Sequence, residues 1–154
     1  MSERFLLLER RIEEDLATIE RLYAALGQPE LRGDEPQETL IVVAYRLHQL
    51  YNAFENIFRN VAATFENALD RDEWHAQLLQ RMRLDLSPVR PAVIDDRAFA
   101  ALDELRRFRH VFRSIYGATL DSAKLRLVAA KALELRPLYA AEIRRFLAFV
   151  RGLR

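Results

Sequence analysis

Between Glu35 and Leu69 one apolar stripe runs without interruption. Its members are Leu40, Val43, Ala44, Leu47, Leu50, Tyr51, Phe54, Ile57, Phe58, Val61 and Phe65. They recur with the three-to-four-residue period that places side chains on one face of an α-helix. A helix over this segment spans about 50 Å at 1.5 Å per residue. That exceeds the ordinary helix of a globular protein and predicts that part of the stripe packs on a second chain. The remaining elements must be arranged around this one.

They also read as helical. The first helix is expected from about Ser2 to Leu26, with Ser2 as cap, Gly27 as stop, and Leu6, Ile12, Leu16, Ile19, Leu22 and Tyr23 at helical spacing. Gly27 to Asp34 reads as a loop. Asp34 caps the long second helix, with Pro36 in its first turn. A third helix is expected from about Asp72 to Leu84, with Trp74, Leu78, Leu79 and Met82 inward. Ser87-Pro88-Val89-Arg90-Pro91 cannot be helical throughout, because each Pro disfavours helix in the residue before it. A fourth helix starts near Asp95 or Asp96 and ends near Gly117. A fifth, capped by Asp121, reaches about Phe149 and is kinked or split at Pro137. No internal repeat or flexible linker is visible. The expected architecture is an all-α, roughly five-helix bundle in a single domain over residues 1–154.

Composition narrows the chemistry. The chain has no Cys, which excludes disulfides, thiolate zinc sites and a cysteine nucleophile. Four Gly and five Pro are too few for a turn-rich β-sandwich. The charges Glu9, Arg10 and Arg11 end the short apolar run after Met1-Ser2-Glu3-Arg4, so a signal peptide is not expected. No apolar run is long enough for a membrane span, and a cytoplasmic location is the expectation. No two His stand at metal-ligand spacing and no phosphate-binding glycine loop is present, so neither a metal nor a cofactor is expected.

The net charge of +1 hides an asymmetry. Residues 1–105 carry 12 Arg against 20 Asp and Glu, a balance of −8, and residues 106–154 carry 12 Lys and Arg against 3 Asp and Glu, a balance of +9. A basic final third attracts phosphates, unless the two parts neutralise each other in the fold or across a dimer.

Chemistry concentrates in Leu105-Arg106-Arg107-Phe108-Arg109-His110-Val111-Phe112-Arg113-Ser114-Ile115-Tyr116-Gly117. Phe99, Leu102, Leu105, Phe112 and Ile115 mark the buried stripe, and Arg109 falls inside it or at its edge. A guanidinium there must be paired or line a cavity. Either it meets a buried carboxylate such as Glu55 or Glu66, or it faces a ligand. Arg106, His110, Arg113 and Ser114 lie on a neighbouring face. Tyr116 is a core aromatic or a hydroxyl open to the cleft. His48 reads as a surface or interface residue, His75 as a packing or helix-start residue, and Glu13-Glu14-Asp15 as solvated.

Four segments together resemble the HepT-like branch of the HEPN superfamily. They are Trp74-His75-x-x-Leu78-Leu79-x-Arg81-Met82, then Val89-Arg90-Pro91-Ala92-Val93-Ile94, then Leu102 to Arg113, then Tyr116-Gly117 with Leu120. The resemblance covers about residues 35–150. It implies a homodimeric helical bundle, RNA as substrate, metal-independent ribonuclease activity, and an MNT-type nucleotidyltransferase antitoxin as partner. The family signature is Arg, a polar residue, three more residues, His, one residue, then often Tyr. It falls on Arg109, His110 and Tyr116, with Ser114 where the His belongs. Arg109, His110 and Ser114 are thereby the catalytic candidates, Arg106 and Arg113 the phosphate contacts, and Tyr116 the residue an antitoxin would adenylylate. A serine hydroxyl is no base at neutral pH, whereas a His would be. The departure points to weak catalysis or to an inactive dimer that serves as a binding or structural module.

Overall fold

The computed structural model describes residues 3–66, 74–114 and 119–154, and of Trp74, Arg113 and Ser114 the backbone alone. Within them five helices follow in order: α1 Glu3–Leu26, α2 Gln37–Phe65, α3 Trp74–Met82, α4 Asp96–Ser114 and α5 Ser122–Gly152. Among the described residues no strand forms. The all-α bundle with a long second helix is the observed fold.

The boundaries differ where side chains found other work. Pro36, not Asp34, is the N-cap of α2, with extended φ −62° and ψ 151° and no side-chain cap. Glu35 turns back on the preceding loop. Its carboxylate accepts from the Arg32 backbone N–H, from the Gly33 N–H at 3.0 Å and from the Ser122 hydroxyl at 2.8 Å. Those bonds, the Arg32 N–H foremost, hold its pKa down to about 2. At the other end α2 stops at Phe65, short of Leu69, because Glu66 is extended at φ −131° and ψ 162°. α3 closes at Met82 rather than Leu84. The expected start of α3 at Asp72 and end of α4 near Gly117 lie outside the described residues. Asp121 does cap α5, accepting from the Ala123 N–H at 2.9 Å. Of the expected kink or split at Pro137, the split does not occur: α5 continues through it as one helix, with Pro137 on an exposed position.

α2 is the centre, with α1, α3, α4 and α5 all packed on it. The stripe from Leu40 to Val61 is buried within this one chain, and Phe65 packs on the same core. The length of α2 therefore does not require a second chain, contrary to the expectation. Burial of each large apolar side chain stabilises by roughly 1.5–3 kcal/mol. On α1 the core residue near the start is Leu8; Leu6 remains 41% exposed. On α4, Leu102 and Leu105 are buried and Phe99 and Phe112 partly so.

The charge asymmetry is answered in part inside the fold. Arg151 of α5 reaches Glu9 and Glu13 of α1, each at 2.9 Å, Arg154 reaches Glu9 at 2.5 Å, and Arg136 reaches Glu20 at 3.4 Å. Neither is Asp15 solvated: it is half-buried and accepts both bonds of the Asn56 amide at 3.0 Å.

The approach to α4 is clamped by Arg90, whose side chain is 0% exposed. Its Nε donates to Glu66 at 2.7 Å, its Nη2 donates to the same carboxylate oxygen, and further bonds run to the carbonyls of Arg81, Leu84 and Pro91 at 3.0–3.2 Å. An Arg fork saturated in this way carries the burial cost of its charge. Asp95 then caps α4 through the Ala98 N–H at 2.8 Å, and Glu142 of α5 accepts the Asp95 N–H at 2.5 Å.

Candidate functional site

The last two turns of α4 carry the predicted cluster, and its members separate by partner. Arg106 is tied to Asp103, its Nε donating at 2.8 Å; Arg107 meets the same carboxylate at 3.0 Å. Asp103 precedes them by one turn, the spacing at which helix charges pair. The phosphate role expected of Arg106 thus starts from a neutralised charge. His110 is exposed on the neighbouring face. The side chains of Arg113 and Ser114, and Tyr116 altogether, lie outside the described residues.

Arg109 is the exception. It is half-buried, and its Nε donates to Asn52 Oδ1 of α2 at 2.6 Å. Neither expected carboxylate is there. Glu55 is 2.7 Å from His75 Nδ1, and Glu66 is held by Arg90 and Arg81. Among the described residues no carboxylate lies within ion-pair distance of Arg109. A neutral amide orients the guanidinium without cancelling its charge.

Asn52 is in turn oriented by His48, one turn earlier on α2, with Nδ2 at 3.2 Å from His48 Nε2. The direction of each bond follows from the chemistry. Arg can only donate, so Asn52 Oδ1 must accept from it and Nδ2 must donate to the ring. His48 Nε2 is therefore the unprotonated nitrogen in this arrangement. The His48 ring also packs on Phe112 of α4, centroids 5.3 Å apart. His48, expected at the surface or in an interface, is half-buried in the support of Arg109. His75 does fill a helix-start role, pairing α3 to the buried Glu55.

Sequence reasoning missed Asn52 and the Arg90 clamp. The available signal for Asn52 was its position: it follows His48 by four residues, beside the apolar stripe of α2. The signal for Arg90 was an Arg between Val89 and Pro91 in a loop that has no helix to solvate it.

Among the described residues no group of three or more His, Cys, Asp or Glu could hold a metal ion, and no helix is long and apolar enough to cross a membrane. A family model described as HepT-like protein matches residues 42–150. The chain belongs to this HepT-like family and carries a domain of HEPN type. The match spans α2 to α5 and leaves α1 outside. Comparison with curated proteins and with solved structures gives no match.

Proposed function

We propose that this HepT-like protein binds RNA at the C-terminal end of α4. In this reading it is a homodimer and the toxin-like member of a pair whose other member is an MNT-type nucleotidyltransferase antitoxin. One observation carries the reading: Arg109 is partly open and held by a neutral amide, so its charge is left for an anion from outside. Its planar fork suits a phosphodiester. The dimer places two Arg109 in one cleft. Ile41 and Val42 of α2 and Val111 of α4, 47–53% exposed, supply apolar contact surface for it.

Cleavage at such a site is metal-independent and slow. A base takes the ribose 2′ proton, the 2′ oxygen bonds to phosphorus, and the bond to the 5′ oxygen breaks as that oxygen gains a proton. Arg109 stabilises the charge that builds on the phosphorane. Ser114 cannot serve as the base; His110, one turn before it, takes that role with poorer placement. The departure at Ser114 favours a second reading, a dimer that binds without cleaving. Purified protein incubated with labelled tRNA in EDTA decides between them. The first reading expects slow fragments that disappear in Arg109→Ala and His110→Ala; the second expects retention of tRNA with no fragments. Neither binding nor cleavage would leave Arg109 a packing residue.

A further inference from the structure

Beside Arg109, on the polar side of α1 and α2, lies a depression of about 480 Å³. That is the size range of small-ligand sites. Its wall on α2 is rich in amides: Gln49, Asn52 and Asn56 succeed one another at three- and four-residue steps, and Asp15 of α1 faces them. A side-chain amide offers a donor and an acceptor side by side, the pattern carried by the edge of a nucleobase.

Much of this capacity is unspent. Asn56 directs its amide nitrogen at Asp15, which leaves its Oδ1 as an acceptor. Gln49 is half-buried and makes no hydrogen bond among the described residues. Tyr45, 52% exposed, presents a ring at the rim. The groove also has a polarity. Asn52 both lines it and holds Arg109 at 2.6 Å, so the cation stands at one side, and the Asp15 carboxylate stands at the other. A phosphate is drawn to the first and repelled by the second, whereas base amino groups are drawn to the second.

We propose that this groove is a nucleobase subsite for single-stranded RNA. It takes the base adjoining the phosphate on Arg109, stacks it on Tyr45, and contacts its edge through Gln49, one turn further along α2. The inference rests on the RNA reading of Arg109.

The test is fluorescence anisotropy of the full-length protein with two labelled strands of equal length: a single-stranded RNA, and the same ribose–phosphate backbone without bases. Stacking and edge contacts are expected to make the RNA bind about tenfold tighter or more. Tyr45→Ala and Gln49→Ala should each remove most of that preference and leave the abasic strand unchanged, while Tyr45→Phe keeps it. Arg109→Ala should weaken both strands. Equal binding of the two strands, or binding of neither, overturns the subsite. So does an equal loss for both strands in Tyr45→Ala, or a loss of dimer mass by light scattering in that variant, which would make the groove a contact between copies. Base preference without cleavage would uphold the subsite and remove only the catalytic part of the reading above. Cleavage that depends on Arg109 but ignores Tyr45 and Gln49 would do the reverse.

Discussion

The two approaches to α4 hold arginines in opposite states. Arg90, before the helix, is wholly buried; Glu66 and three backbone carbonyls take up its donors. Arg109, in the last turns, is partly open, and among the described residues a single amide oxygen takes one of its five donors. Both are guanidiniums near the core of one bundle, yet their partners divide them. A buried charge with every donor satisfied by its own chain has nothing left for a ligand. A charge that is oriented but not neutralised keeps its attraction for an anion. The first end of α4 is built to stay in place, and Glu142 and Asp95 add to it. The second end leaves Arg109 oriented by an amide and without a carboxylate among the described residues.

The largest effect should come from breaking the clamp. Arg90→Ala leaves Glu66 buried with only the more distant Arg81 as partner, a type of change that costs about 3–5 kcal/mol. Chemical denaturation should show that loss; a cost below about 1 kcal/mol would mean the clamp is dispensable. At the other end, if the proposed cleavage takes place, Ser114→His supplies a base at the position where the resemblance expects one. It should raise the RNA cleavage rate by on the order of 100-fold, with circular dichroism checking that the fold is kept.

Arg109→Ala should separate the two arginines cleanly. It should lower stability by less than about 1 kcal/mol and lower the salt slope of RNA binding by about 0.7 for a single strand. If instead it destabilised as much as Arg90→Ala, the two sites would be alike and the functional assignment of Arg109 would fall. Asn52→Ala should produce a smaller loss of RNA affinity than Arg109→Ala, because it frees the guanidinium to wander without removing it.

The smallest effect tests the anchored end through pH. Burial, with the Asp95 charge opposing ionisation, pushes the Glu142 carboxyl up to about 7 from an ordinary 4.5, against the Asp95 N–H bond that favours its charged form. The folded chain thus holds a proton that the unfolded chain releases near 4.5. Its contribution to stability is complete below that pH and is lost as pH rises toward 7. Glu142→Gln keeps an acceptor for the Asp95 N–H and cannot ionise. Its stability relative to the parent should therefore increase between pH 4.5 and 7, measured by denaturation at each pH. A constant difference across that window would show that Glu142 is ionised throughout.

Much of the fold is legible in the sequence. The stripe from Leu40 to Phe65, the cap at Asp121 and the loop at Ser87 to Pro91 depend on spacing and backbone restrictions, which are local. The resemblance likewise rests on short segments, and the family match spans most of the same residues. Three of the differences have one cause, contacts from distant parts of the chain. Asp34 was expected to cap α2 but Glu35 was drawn to Ser122, 87 positions away. The length of the α2 stripe suggests a partner chain, yet α2's own neighbours bury that stripe. His48 reads as a surface or interface residue because nothing in its own helix shows that Phe112 lies over it.

By itself, then, the sequence determined the helices, their order and the concentration of arginines at the end of α4, because periodicity and capping act within a few residues. Which arginine is spent and which is left open was decided by the tertiary structure alone. That outcome depends on whether a carboxylate or an amide from a distant part of the chain arrives beside the guanidinium. Glu66 meets Arg90 across 24 positions and Asn52 meets Arg109 across 57, and no local pattern in the chain specifies which pairs will meet when the bundle closes.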